Sequence, residues 1–171
     1  MACTFISSFP FACRDGNGGV QEMKVKVFDS AAPSVTLVET SGTVVASGAS
    51  LTGWYTLFCE KATANFVDAG ATNVQNGTST YKETITFIFN KLQVAFRNEL
   101  KAYHQQRIHI AIKDNNGVAW LFGFTRGVDL MTSNSGSGTA YDERSGYTLT
   151  FEGTEPNPIV AISNYSALIT A

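Results

Sequence analysis

The chain has 171 residues, a formal net charge of −2, 44% hydrophobic residues and only 15% charged ones. That length suits one domain, 1–171, able to bury a core without staples, and the charge balance excludes the basic footprint of a nucleic-acid reader. No apolar run approaches the ~18 residues of a membrane-spanning helix, and a charged fraction well below the usual quarter suits a surface that lies against other protein.

Residues 1–19 read as an amino-terminal arm. The start, "MACTFISSFPFACRDG", lacks a basic leader region and Pro10 interrupts its apolar run, so it is expected to be mature protein rather than a signal peptide. Cys3, Cys13 and Cys59 are odd in number and show no C-x-x-C spacing, which favours reduced buried thiols over a disulfide framework or a zinc site. After the turn cluster "RDGNGGV" the chain alternates, with Met23, Val25 and Val27 on one face and Glu22, Lys24 and Lys26 on the other, the pattern of a half-buried strand. "VTLVE" and "TVVASG" flank "TSG" as a short hairpin.

The span 54–89 predicts a long hairpin. Its first half puts Trp54, Thr56, Phe58 and Glu60 on one face and Tyr55, Leu57, Cys59 and Lys61 on the other. Asn76-Gly77 predicts a type I′ turn, whose two central residues need positive φ. The return strand places Tyr81, Ile85, Phe87 and Phe89 on one face and Thr78, Thr80, Lys82, Thr84 and Thr86 on the other. About twelve residues at ~3.3 Å each span roughly 40 Å, twice the usual strand, so the hairpin should project beyond a compact body.

One helix is predicted over 90–106, with Leu92, Phe96, Leu100 and Tyr103 forming its apolar stripe and Asn90 as its N-cap. Lys91, Arg97, Asn98, Lys101 and Gln105 face away from that stripe. Strands follow: "RIHIAIKD" with Ile108, Ile110 and Ile112 inward, a turn at Gly117, and "VAWLFGF". The segment 132–146 reads as a polar loop, too rich in Ser and Gly to be core. "YTLTFEG" alternates Tyr147, Leu149 and Phe151 against Thr148, Thr150 and Glu152, and "IVAISNY" closes the pattern. The sum is about nine strands and one helix, which is mainly β: a β-sandwich or partly open barrel with one packed α-helix and a long projecting β-hairpin.

Catalytic and ligand-binding patterns are thin. His104 and His109 are spaced wrongly for metal ligation and read as a helix-end residue and an outward strand residue. "KDNNG" lacks the acidic ligands of a calcium loop, and Asp142 and Glu143 point apart on a polar loop. No nucleophile elbow, phosphate-binding loop or dinucleotide fingerprint occurs, so no enzyme activity and no cofactor are expected. Trp54, Tyr55 and Trp120 could make a sugar platform, although core packing explains them first. What does stand out is a long strand pair with an apolar face and a Thr face. Such a ribbon is an aggregation hazard unless covered, and identical copies in a closed ring would cover it, leaving the Thr and Lys face to line an aqueous channel.

In this order of elements the chain resembles the tail tube (major tail) proteins of long-tailed bacteriophages and the related tubes of contractile injection machines. The stretches that carry the resemblance are "CRDGNGGVQEMKVKVF", the hairpin 54–89 running directly into one helix, "IAIKDNNGVAWLFGFTRGVDL", and "SGSGTAYDERSGYTLTFEGTEPNPIV", together covering 13–160. The resemblance implies hexameric rings stacked into a tube in the virion tail, assembled in the host bacterial cytoplasm. The hairpin strands would form the inner barrel through which DNA passes, with transient, non-specific contact. Thr78, Thr80, Lys82, Thr84 and Thr86 are then the expected lumen-lining residues, with Glu60, Asp68 and Glu83 offset there by Lys61 and Lys82. Phe5, Phe9 and Phe11 of the arm, with Tyr81 and Ile85, are the expected contacts between subunits. The partners implied are further copies of this chain and other tail proteins, with no membrane. A head decoration protein, a tail terminator and a β-sandwich carbohydrate-binding module remain alternative readings.

Overall fold

A computed structural model describes residues 16–28, 37–40, 42–47 and 51–169. Among these residues eleven strands, one α-helix and one 3₁₀ turn follow in chain order: β1 (Val20–Val27), β2 (Leu37–Thr40), β3 (Thr43–Ala46), β4 (Tyr55–Phe58), β5 (Ala64–Asn73), β6 (Thr78–Asn90), α1 (Val94–Gln105), β7 (Ile108–Asp114), β8 (Ala119–Phe122), β9 (Asp129–Gly136), β10 (Gly146–Glu155), β11 (Val160–Ile162) and the 3₁₀ turn Tyr165–Ala167. They form two sheets. One has seven strands in the order β2-β3-β11-β8-β7-β1-β4, the other four in the order β5-β6-β10-β9. Every pairing is antiparallel except β3 with β11. The fold is therefore a mainly-β sandwich with one helix. Both sheets are open, so the partly open barrel is not formed within one chain.

Between the sheets lies the main core. Met23, Val25, Ile108, Ile110, Ile112 and Phe122 of the larger sheet meet Ile85, Phe87, Tyr147, Leu149 and Phe151 of the smaller. α1 packs Phe96, Leu100 and Tyr103 against this core, with Phe96 4.5 Å from the Phe89 ring and 5.0 Å from that of Tyr147. Three of the four predicted stripe residues are thus seated, while Leu92 is exposed and the helix starts later than its periodicity implied. Asn90 ends β6, Leu92 precedes the helix, and the N-cap is Gln93, which makes no side-chain cap. At the far end His104 sits in the last turn, where a cation would be favoured, and hydrogen bonds with Ser133 Oγ at 2.8 Å.

A second core covers the other face of the larger sheet, built from Val44, Trp54, Ala111, Leu121, Val160, Ile162, Tyr165 and Leu168. That cover was invisible to strand alternation, and two residues on the face expected to be outward are buried. Lys24 is buried, donates to the Leu168 carbonyl at 2.8 Å and lies 4.9 Å over the Tyr165 ring. His109 is buried too, its Nδ1 hydrogen bonding with the Gly123 carbonyl at 2.7 Å. A central strand covered on both faces has no solvent side for either residue.

The hairpin is shorter than expected. The turn at Ala62, with φ of 59°, breaks the extended run, so β4 joins the larger sheet and β5 the smaller. Its tip is a loop from Val74 to Gly77 in which Asn76 N–H donates to Asn73 Oδ1, and only Gly77 of the Asn-Gly pair takes positive φ. β6 has its predicted length, but β10 pairs along it from Asn90 to Tyr81. Only the pairs Ala71↔Thr80, Thr72↔Ser79 and Asn73↔Thr78 and the loop reach past β10, a projection of ~10 Å at ~3.4 Å per residue.

Candidate assembly surface

The face of the four-stranded sheet turned away from the core is built by strand alternation. On β6 it carries Thr78, Thr80, Lys82, Thr84 and Thr86, because Tyr81, Glu83, Ile85, Phe87 and Phe89 point to the core side. Register extends the Thr surface across the sheet: Asn65, Thr86, Thr150 and Thr132 stand in one row, and Val67, Thr84, Glu152 and Asp129 in another. Residues 132–136 of β9 fall within the stretch expected to be a loop. Its Ser-rich sequence gave no strand signal because, as an edge, it needs a partner on one side only.

Charges on this surface are few and mostly matched. Lys82 Nζ lies 2.9 Å from Glu152 Oε2, Arg107 Nε lies 3.7 Å from Asp129 Oδ1, and Arg144 Nη2 donates to Thr148 Oγ1 at 2.8 Å. At the β9 side Lys82, Arg107, Arg126, Asp129 and Glu152 line a cleft of about 350 Å³. Two expected lumen carboxylates are elsewhere. Asp68 and Glu83 face each other across β5 and β6 on the core side, and Glu83 is buried. Glu60 and Lys61 sit in the chain between β4 and β5, off the strand face.

The expected subunit contacts fare differently. Ile85 is 1% exposed within the main core, so it cannot touch a neighbour while the sandwich is closed. Tyr81 is half-buried against Gly70 of its own hairpin. Phe5, Phe9 and Phe11 lie outside the described residues. In place of Ile85 the smaller sheet offers its edges. β5 and β9 each have one strand neighbour, and on them Val67 and Met131 are exposed. Met131 is the extra residue of a bulge opposite Thr150 and Phe151.

A sugar platform does not form. Trp54 is fully buried in the second core, Trp120 packs toward the main core and donates to Asp114 Oδ2 at 3.2 Å, and Tyr55 is exposed on β4. Asp114 Oδ1 accepts from Asn116 and Val118 N–H, so the "KDNNG" carboxylate is used by a turn. Among the described residues no group of three or more His, Cys, Asp or Glu is arranged to hold a metal ion, and no helix is long and apolar enough to cross a membrane.

Cys59 is the one cysteine among the described residues. Burial, then the nearby Glu22 charge, pushes its thiol up to about 12 from an ordinary 9.0. Its thiolate population at pH 8 is then roughly a thousandfold below that of a free cysteine. Iodoacetamide labelling followed by peptide mass analysis should find the Cys59 peptide unmodified long after free cysteine has reacted. Labelling at the free rate would contradict this burial.

Comparison with protein-family models, curated proteins and solved structures finds no match to this chain.

Proposed function

We propose that the chain is a structural subunit of a bacteriophage tail tube, assembling into stacked hexameric rings that enclose a conduit for DNA. The observation that carries this reading is the four-stranded sheet: open at both edges, packed on one face and lined with threonine on the other. An open sheet edge is a template for pairing with another chain. Joining β5 of one copy to β9 of the next is a head-to-tail contact, which closes into a ring when the rotation fits.

Six copies of a four-stranded sheet supply ~24 strands. At ~4.8 Å spacing and ~40° tilt these close a barrel of roughly 50 Å backbone diameter, wide enough for a double helix. Two of the cations near the Thr surface are matched, Lys82 with Glu152 and Arg107 with Asp129, and Arg144 is held on Thr148. A surface of that kind offers passing phosphates little to hold them. This reading places the chain in the virion tail, with other tail proteins at the ends of the tube. It assigns the chain no catalytic role.

Negative-stain electron microscopy of the purified chain tests it. Rings with a central pore, stacked into tubes, are expected. Single rings that never stack would favour a tail terminator. A monomer at every concentration and salt would overturn the reading.

A further inference from the structure

The base of the hairpin holds three carboxylates on its core side. Asp68 and Glu83 are directly opposite in register, and Glu155 lies beside them at the end of β10. Glu83 is 1% exposed and Glu155 3%. Each accepts from backbone N–H groups of the chain that crosses the sandwich. Glu83 Oε2 takes Gly123 N–H at 2.8 Å. Glu155 Oε1 takes Thr125 N–H at 3.1 Å and Arg126 N–H at 2.7 Å. Asp68 Oδ2 takes Ile159 N–H at 3.1 Å. The loop 123–127 links the two sheets, so the Glu83 bond ties the hairpin base to that crossover and the Glu155 bonds tie β10 to it, while Asp68 ties β5 to the 156–159 crossing. Gly153 of β10 opposes Glu83, and a Cβ there would fall 2.7 Å from Val128 Cγ1 and 3.3 Å from Glu83 Oε2, so the site is packed tight around the carboxyl.

One oxygen is unaccounted for. Asp68 Oδ1 is buried and no donor reaches it. A buried acceptor without a donor is costly, and a buried carboxyl beside a half-buried one resists ionising with it. A single proton answers both problems. We propose that Asp68 and Glu83 share a proton, Glu83 donating to Asp68 Oδ1, and that this acid pair is a latch which holds the hairpin base on the 123–127 crossover and slackens as the proton leaves.

The surroundings favour the protonated form. Glu83 sits among Asp68 from β5, Glu155 and Gly153 from β10, and the backbone of 123–127. The imidazole of His109 on β7 stands across that loop, on the Gly123 carbonyl. Of the cations of the nearby cleft, Lys82 lies with Glu152 and Arg107 with Asp129, and Arg126 lines the cleft beside them. Burial raises Glu83 first, and Glu155 and Asp68 add to it against the opposing Gly123 N–H, taking it from 4.5 to about 8. The sign follows from proton linkage. The folded chain holds a proton that the unfolded chain releases near 4.5. The stability it contributes is complete below that value and is lost as pH rises to about 8.

The latch is read out in the chain itself, whether or not rings form. Amide exchange of the full chain at pH 6, 7 and 8.5, corrected for intrinsic rates, should show protection of 64–73 and 123–127 falling by up to ~10-fold per pH unit between pH 6 and 8. In Glu83→Gln it should stay flat, because the amide accepts from Gly123 N–H and donates to Asp68 Oδ1 at every pH. Wild-type protection that does not change over this range overturns the proposal. So does an equal loss in Glu83→Gln, which would assign the effect to another group such as His109. If Glu83→Gln does not fold, Asp68→Asn decides: with the neighbouring charge gone the transition should move to lower pH, and an unmoved transition overturns the latch.

Discussion

Replacing residues 71–80 by Asn-Gly should leave a folded chain that does not form the tubes of the proposed function. Gly70 and Tyr81 are direct partners across the hairpin, so a two-residue type I′ loop can join them without moving either strand. All ten deleted residues are exposed. They bury almost no apolar surface in the single chain, and the shortened protein should melt within ~1 kcal/mol of the original. The tip is nevertheless the part of β5 and β6 that reaches past β10 and has no further strand beside it among the described residues. Thermal melting together with electron microscopy separates the two effects. An unchanged melt with tubes lost supports the hairpin as an assembly element. Tubes of normal length from the shortened chain would remove the hairpin from the proposed function.

Phe87→Ala should cost ~3–5 kcal/mol, a large share of the 5–15 kcal/mol that holds a domain of this size. The side chain is fully buried, sits between Ala64 and Leu149 in register, and meets Phe89 edge-on at 4.3 Å. Ala64 is too small to close the gap left behind. One residue earlier, Thr86→Ala should cost under ~1 kcal/mol, since Thr86 lies on the outer face between Asn65 and Thr150. Chemical denaturation of both variants checks the contrast. Equal costs would mean that β6 is not divided into a core face and an outer face as described.

That division was legible in the sequence because β6 is covered on one side only, and alternation then reports burial directly. The core positions Phe87, Leu149 and Phe151 and the helix stripe at Phe96, Leu100 and Tyr103 were readable for the same reason. Glu83 was misplaced because an acidic residue within an aromatic face looks like solvent-facing charge. Its inward position depends on Gly123 N–H and on the space left by Gly153, both distant in sequence. Lys24 was misread because the second core, with cover from 51–54 and 160–168, lies over it, and His109 because Phe28 and the Gly123 carbonyl, both distant in sequence, cover it. The overlong hairpin came from reading 54–60 and 64–73 as one strand, when the left-handed turn at Ala62 sends them to different sheets. β9 escaped notice because an exposed edge strand of Ser, Thr and Asn carries no hydrophobic period.

The position of β11 sets a schedule for folding. This three-residue strand is last in chain order, yet it lies between β3 and β8 and alone joins the β2–β3 pair to the rest of the seven-stranded sheet. A chain emerging from the ribosome must wait for residues 160–162 before that sheet is continuous. The contacts it then makes span more than a hundred residues, from Ala161 to Thr43, and pairings so distant in sequence form slowly. Until they form, β3 and β8 each lack a neighbour. A new chain is therefore most exposed to wrong pairing in the interval just before synthesis reaches β11.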